Sequence, residues 1–206
     1  MKNILLRSRF LLLAFGLLLA APTLWSCNTQ TALQKQLSEH ESQLKIIDED
    51  TIQHYLQRSN LVNSATRTNS GLYVVNITAG TGTPVTTGKQ VRVKYIGRFL
   101  SNGAHPSSTG YAVSYGNANF PAGSIFDNSA DNHTACSCTV FTVGGEGRGA
   151  GFTEGLLLMH QGDRKLLLIP SRLAFGPSGQ ANSATGATIV PPDAALSYDV
   201  EIIDVF

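Results

Sequence analysis

One stretch, GFTEGLLLMHQGDRKLLLIP from Gly151 to Pro170, constrains what the rest of the chain can be. Phe152, Leu156 and Met159 recur at i, i+4 and i+7, the spacing of one helix face. Gly162 stands where a helix would end, because glycine enters the left-handed conformation without a Cβ penalty. Arg164 and Lys165 then give way to Leu166, Leu167, Leu168 and Ile169, an apolar run closed by Pro170 that suits a buried strand. So short a helix is marginal alone in water, and its apolar face needs a cover. The expected cover is a sheet.

The flanking sequence supplies its strands. Val91, Val93 and Tyr95 alternate with Arg92 and Lys94, and Leu196, Tyr198, Val200 and Ile202 alternate with Ser197, Asp199 and Glu201. Such alternation marks antiparallel strands with one buried face. Strands are expected at 72–77, 90–97, 139–143, 164–169 and 195–205, giving an α+β fold in which a twisted antiparallel sheet wraps over one short central helix. The long Ser/Gly/Asn-rich stretch between Gly97 and Phe126 does not fit a tight sheet. An insertion at about 101–125 is expected there, either a contact lip carrying Tyr111, Tyr115 and Phe120 or a surface loop packed by its own side chains.

The N-terminus has a different character. Lys2, Arg7 and Arg9 precede an apolar run from Phe10 to Ala21 and then small residues, the order of a secretory signal. Leu24-Trp25-Ser26-Cys27 resembles a bacterial lipobox, so residues 1–26 are expected to be a lipoprotein signal, with Cys27 lipidated. That implies a membrane-anchored protein of the cell envelope, facing the periplasm. Residues 27–70 follow as a tether with one or two helices: a broken apolar stripe runs through 33–56, Asp48-Glu49-Asp50-Thr51 reads as the acidic start of a second helix, and 61–70 reads as a linker. This segment is either a tether with one docked helix or a dimerising arm.

Composition excludes some partners. Net charge is +1 with no basic cluster beyond the N-terminus, which argues against nucleic acid. Cys136 and Cys138, with His133 nearby, are either incidental thiols or one structural disulfide; they are too few ligands for a metal site, and none is expected. The run Gly144-Gly145-Glu146-Gly147-Arg148-Gly149 lacks the Lys-Ser/Thr of a phosphate loop.

Five motifs in order, VKYIG, IFDNS, GFTEGLLLMHQGD, KLLLIPSRLAFG and IVPPDAALSYDVEI, make residues 71–206 resemble the FKBP-type peptidyl-prolyl isomerases. The resemblance implies a pocket lined by Tyr95, Phe126, Phe152 and Tyr198, with Phe152 as its floor and Asp127 beside it as a polar orienting group. It further implies peptide contacts from Gly149, Ala174, Phe175, Ile189 and Val190, with Ile189 and Val190 as an apolar wall. It implies proline-containing polypeptides as partners and no cofactor. Three positions depart from the family pattern: Arg148-Gly149 replaces an apolar pair, Phe175 replaces a tyrosine, and a pocket phenylalanine is absent around Thr139. A shallower, looser pocket is therefore expected. The activity implied is isomerisation of X-Pro bonds in exported proteins; a non-catalytic chaperone or peptide-binding module on the same fold is the alternative.

Overall fold

The structure is a computed structural model that describes residues 31–105, 113–145 and 147–206. The signal-like segment, Cys27, Tyr111 and Glu146 lie outside the described residues. The chain divides into two units, Met1–Lys35 and Gln36–Phe206. In the first, Thr31 caps the start of helix α1 (Ala32–Arg58): its Oγ1 accepts from Gln34 N at 3.2 Å, while Gln34 Oε1 accepts from Thr31 N at 2.9 Å. This reciprocal pairing satisfies two amides at a helix start.

The second unit is built on a seven-stranded antiparallel sheet. Its members are β1 (Ala65–Arg67), β2 (Tyr73–Thr78), β3 (Gln90–Phe99), β6 (Ile125–Asn128), β7 (Thr139–Thr142), β8 (Arg164–Ile169) and β11 (Leu196–Val205). Two hairpins stand apart: β4 (Ala104–His105) with β5 (Ser114–Tyr115), and β9 (Gln180–Ala181) with β10 (Thr188–Val190). The sheet order is β1-β2-β8-β11-β3-β6, with β7 also paired to β3. Helix α2 (Ala150–Leu157) lies on one face. The expected α+β architecture is what the structure has.

Alternation along the strands sends side chains to two buried layers. Leu72, Val74, Leu167, Ile169, Leu196, Tyr198 and Val200 join Phe152 and Leu156 of α2 in one cluster. Tyr73, Val75, Leu168 and Ala195 join Ile52 and Leu56 of α1 in another. Helices thus cover both faces, not one. The continuous apolar run Leu166–Ile169 follows from this, since a strand buried on both sides has no polar face.

Several local expectations are corrected. No second helix begins at Asp48: α1 runs unbroken through it, and its buried side chains are His40, Leu44, Asp48, Ile52 and Leu56, every fourth residue. Asp48 is satisfied in the interior because its Oδ2 accepts from Ser171 N at 2.8 Å and Ser171 Oγ at 2.7 Å. Residues 61–70 are not a plain linker, since Ala65–Arg67 pairs with β2 as an edge strand. Gly162 does not end α2. The helix closes at Leu158, whereas Gly162 (φ +89°) turns the chain into β8 and its N donates to Ile202 O at 2.8 Å. Met159 is buried beyond the helix rather than on it. Cys136 and Cys138 form a disulfide. In the insertion, Phe120 packs on Phe99 with ring centroids 5.5 Å apart, while Tyr115 is exposed.

Candidate active site

The sheet register collects aromatic side chains over α2. Tyr95 projects from β3, Tyr198 from β11 and Phe126 from β6, and Phe152 rises from the first turn of α2. Tyr198 pairs with Gly97 across the β3–β11 ladder, and Gly97 pairs with Asp127 across β3–β6. Ring centroids lie 4.7 Å apart for Phe152–Tyr198, 5.5 Å for Phe126–Tyr198 and 6.1 Å for Tyr95–Phe152, all edge-on. Edge-to-face packing at this range is the favoured arrangement of aromatic quadrupoles. Tyr95, Phe152, Val190 and Tyr198 belong to the buried core, and Phe126, Ala174, Phe175 and Ile189 pack against it, half-buried. All the expected pocket residues therefore meet.

Gly149 meets them through the backbone. It is the residue before α2, with φ +88°, and a Cβ built there would lie 2.5 Å from the Ala174 carbonyl oxygen. Only glycine accepts both that φ and that contact. The position is therefore fixed by packing against the Ala174 backbone, not loosened by the lack of a side chain.

The family model described as FKBP-type peptidyl-prolyl cis-trans isomerase matches residues 82–203. The chain belongs to this family. Among curated FKBP relatives, it is 36% identical over 91 residues to "Peptidyl-prolyl cis-trans isomerase FKBP10" of Bos taurus, a match covering 44% of this chain and 14% of that one. It is 27% identical over 137 residues to "FK506-binding protein" of Neisseria meningitidis serogroup B, covering 66% of this chain and 97% of that one. FkpA from Escherichia coli shares the fold at a TM-score of 0.54 and 23% identity, over 80% of this chain and 63% of that one. The chain thus spans a small part of the first of these relatives.

Two side chains complete this FKBP site that sequence reasoning did not assign to it. Phe141 of β7 packs on Phe152 at 6.0 Å, bringing an aromatic ring to the region where Thr139 lacks one. Arg148 covers the rings: its guanidinium carbon lies 4.6 Å from the centroid of Tyr95, 5.4 Å from Phe141 and 5.9 Å from Phe152. Arg148 Nε donates to Asp127 Oδ2 at 2.9 Å, the Tyr95 hydroxyl donates to Asp127 Oδ1 at 2.9 Å, and Arg148 Nη2 makes a short hydrogen bond to the Tyr95 hydroxyl oxygen. With this cover in place Phe152 and Tyr198 are 0% exposed and Tyr95 is 3% exposed. Arg148 thus lies over the rings where the resemblance implies the pocket.

The electrostatics follow from burial and this triad. Burial, then the Asp127 charge, pushes the Tyr95 hydroxyl up to about 12. Tyr198 is raised further, again by burial first, and its buried hydroxyl has no hydrogen-bond partner among the described residues. Burial works against the charge on Arg148, but Asp127 and the tyrosines outweigh it and raise the guanidinium pKa. Neither tyrosine ionises near neutral pH, so both hydroxyls keep their protons and can donate. The only signal for Arg148 in the sequence was its departure from an apolar position; its pairing with Asp127 is a tertiary fact.

Proposed function

We propose that the protein isomerises X-Pro bonds in polypeptides, with the prolyl ring entering the aromatic cluster as Arg148 swings off it. The observation that carries this reading is the convergence of Tyr95, Phe126, Phe152 and Tyr198 around a buried hydroxyl, that of Tyr198, with no partner among the described residues. Rotation about the imide C–N bond faces a barrier of roughly 18–20 kcal/mol and breaks no covalent bond. The site needs to bind the twisted imide better than the planar one. Apolar ring walls disfavour the planar, more polar form. The Tyr198 hydroxyl, costly to leave unpaired at about 1–3 kcal/mol, gains a partner when a substrate carbonyl arrives.

The displaced Arg148 keeps Asp127 within reach and holds that carboxylate in place. Folding of exported proteins is the setting we propose, with a lipid anchor at Cys27; this part rests on the sequence pattern of residues 2–27. Among the described residues no helix is long and apolar enough to cross a membrane.

Exchange NMR on an X-Pro peptide tests the activity, with Arg148→Ala and Phe126→Leu beside the wild type. Catalysis predicts line broadening that Phe126→Leu weakens. One observation favours a second reading, a peptide-binding module without turnover: Arg148 covers the rings in the structure. If neither wild type nor Arg148→Ala accelerates exchange over peptide alone, the catalytic reading fails.

A further inference from the structure

Three polar side chains that isomerisation does not use meet away from the aromatic cluster. His40 comes from α1, His105 from β4 in the insertion, and Asp193 from the turn before β11. His40 is 2% and Asp193 5% exposed, and the His105 side chain is 8% exposed. His40 Nε2 lies 2.9 Å and His105 Nε2 3.3 Å from the same oxygen, Asp193 Oδ2. One ligand-capable atom from each residue falls within 4.8 Å of the other two. The other carboxylate oxygen, Asp193 Oδ1, is buried with no hydrogen-bond partner among the described residues.

The backbone is shaped to make this meeting. Asp193 sits at φ +59° and its N donates to Gly176 O at 2.9 Å. A non-glycine residue there is uncommon, although aspartate tolerates it better than most. Gly103 has φ +80°, and a Cβ on it would stand 2.0 Å from the Pro192 carbonyl oxygen. Only glycine lets the insertion come this close, and His105 lies two residues further on.

We propose that His40, His105 and Asp193 form a binding site for one Zn²⁺ ion. Two imidazole nitrogens and one carboxylate are zinc donors, and three protein ligands with water in the fourth position make a common zinc set. Ca²⁺ and Mg²⁺ ask for oxygen donors instead. Bond lengths of about 2.0–2.1 Å in a tetrahedron place donor atoms roughly 3.3 Å apart. The two observed nitrogen–oxygen separations are near that value, and all three atoms lie within 4.8 Å of one another, so the side chains can close on one ion. It takes the place of the protons between the imidazoles and the carboxylate and brings a positive charge to a buried carboxylate that has an unpaired oxygen. Asp48, whose carboxyl is pushed up to about 6 by burial and further by the Asp193 charge, gains from the same neutralisation. The three residues lie 65 and 88 positions apart, by subtraction of their numbers, so no spacing motif reveals them.

The test is titration of chelator-treated protein with ZnCl₂ by calorimetry, and with Co²⁺ followed by its visible d–d absorption. Variants are His105→Ala, which lies on the insertion, and Asp193→Asn, which keeps a residue tolerant of positive φ. His160→Ala, at an exposed histidine outside the cluster, serves as the control. Far-UV CD verifies folding. The expected result is one Zn²⁺ per chain, a raised unfolding midpoint with metal, and affinity at least ~100-fold weaker in His105→Ala and Asp193→Asn but unchanged in His160→Ala. Absence of saturable binding by the wild type, or equal affinity in folded His105→Ala, overturns the proposal.

Discussion

Arg148 and Tyr95 form a stacked, hydrogen-bonded pair: the guanidinium carbon lies 4.6 Å from the ring centroid and Nη2 bonds the hydroxyl oxygen. A prolyl ring needs the surface that this cation covers. The cation–π contact is worth about 0.5–2 kcal/mol. Any state with Arg148 swung out must be reached against it, and substrate affinity falls by the fraction of molecules closed. Arg148→Ala is therefore expected to raise kcat/KM roughly 2- to 30-fold, at 1.36 kcal/mol per factor of ten. Protease-free exchange kinetics on a prolyl peptide measure it. An activity drop instead would mean that Arg148 holds the substrate.

The φ of +88° at Gly149 and the 2.5 Å approach to Ala174 O make this position intolerant of a side chain. Gly149→Ala is expected to cost about 2 kcal/mol or more, because strain in φ adds to a backbone clash. Gly88→Ala, at φ +83° with nothing within 4 Å, carries the φ strain without the clash and is expected to cost less. Urea denaturation of the two variants side by side separates the contributions.

Asp48 gives a pH dependence of known sign. Its carboxyl is raised from 3.8 to about 6, chiefly by burial; Ser171 and Arg172 oppose the rise and Asp193 adds to it. The native state therefore holds a proton between pH 4 and 6 that the unfolded chain has released. The stability from Asp48 is full below pH 4 and falls as pH rises through about 6. The difference amounts to about 3 kcal/mol at 1.36 kcal/mol for each pH unit. In Asp48→Asn this decline between pH 4 and 6 is expected to vanish; thermal unfolding at stepped pH reads it out. An equally steep decline in the variant would assign the titration elsewhere.

The Ser129 hydroxyl accepts from Tyr95 N at 3.0 Å and donates to Ser137 O at 2.8 Å, inside the disulfide loop. Cys136 and Cys138 are two residues apart, and chain entropy assigns so small a ring only about 1.6 kcal/mol. Ser129→Ala strands the buried Tyr95 N–H at about 1–3 kcal/mol and also gives up the bond to the exposed Ser137 carbonyl, worth about 0.5–1.5 kcal/mol. Ser129→Ala is therefore expected to destabilise more than Cys136→Ser. Reversal of that order in urea melts would show the bond, not the hydroxyl, as the main support of the loop.

What was legible in the sequence follows from where each stabilising contact lies. Val91, Val93 and Tyr95, or Tyr198, Val200 and Ile202, advertise their strands because one face is apolar along the chain. The α1 stripe was hidden because two of its five buried members, His40 and Asp48, are polar and are satisfied by Asp193 and Ser171. The edge strand Ala65–Arg67 has the sequence of a linker because backbone pairing with β2, not side-chain pattern, defines it. The pocket residues were legible through family motifs. Arg148 is visible only as an anomaly, since its partner Asp127 lies 21 residues earlier, on β6.

The bond between Asp48 and Ser171 also sets a schedule for synthesis. The two residues are 123 positions apart, and a ribosome adding roughly 5–20 residues per second makes the second about 6–25 s after the first. For most of that interval only Tyr73, Val75 and Leu100 of the cluster around Ile52 and Leu56 have been made, and Leu168 and Ala195 are still to come. The nascent chain therefore cannot complete the cover of the α1 stripe until Ala195 and the start of β11 have been made.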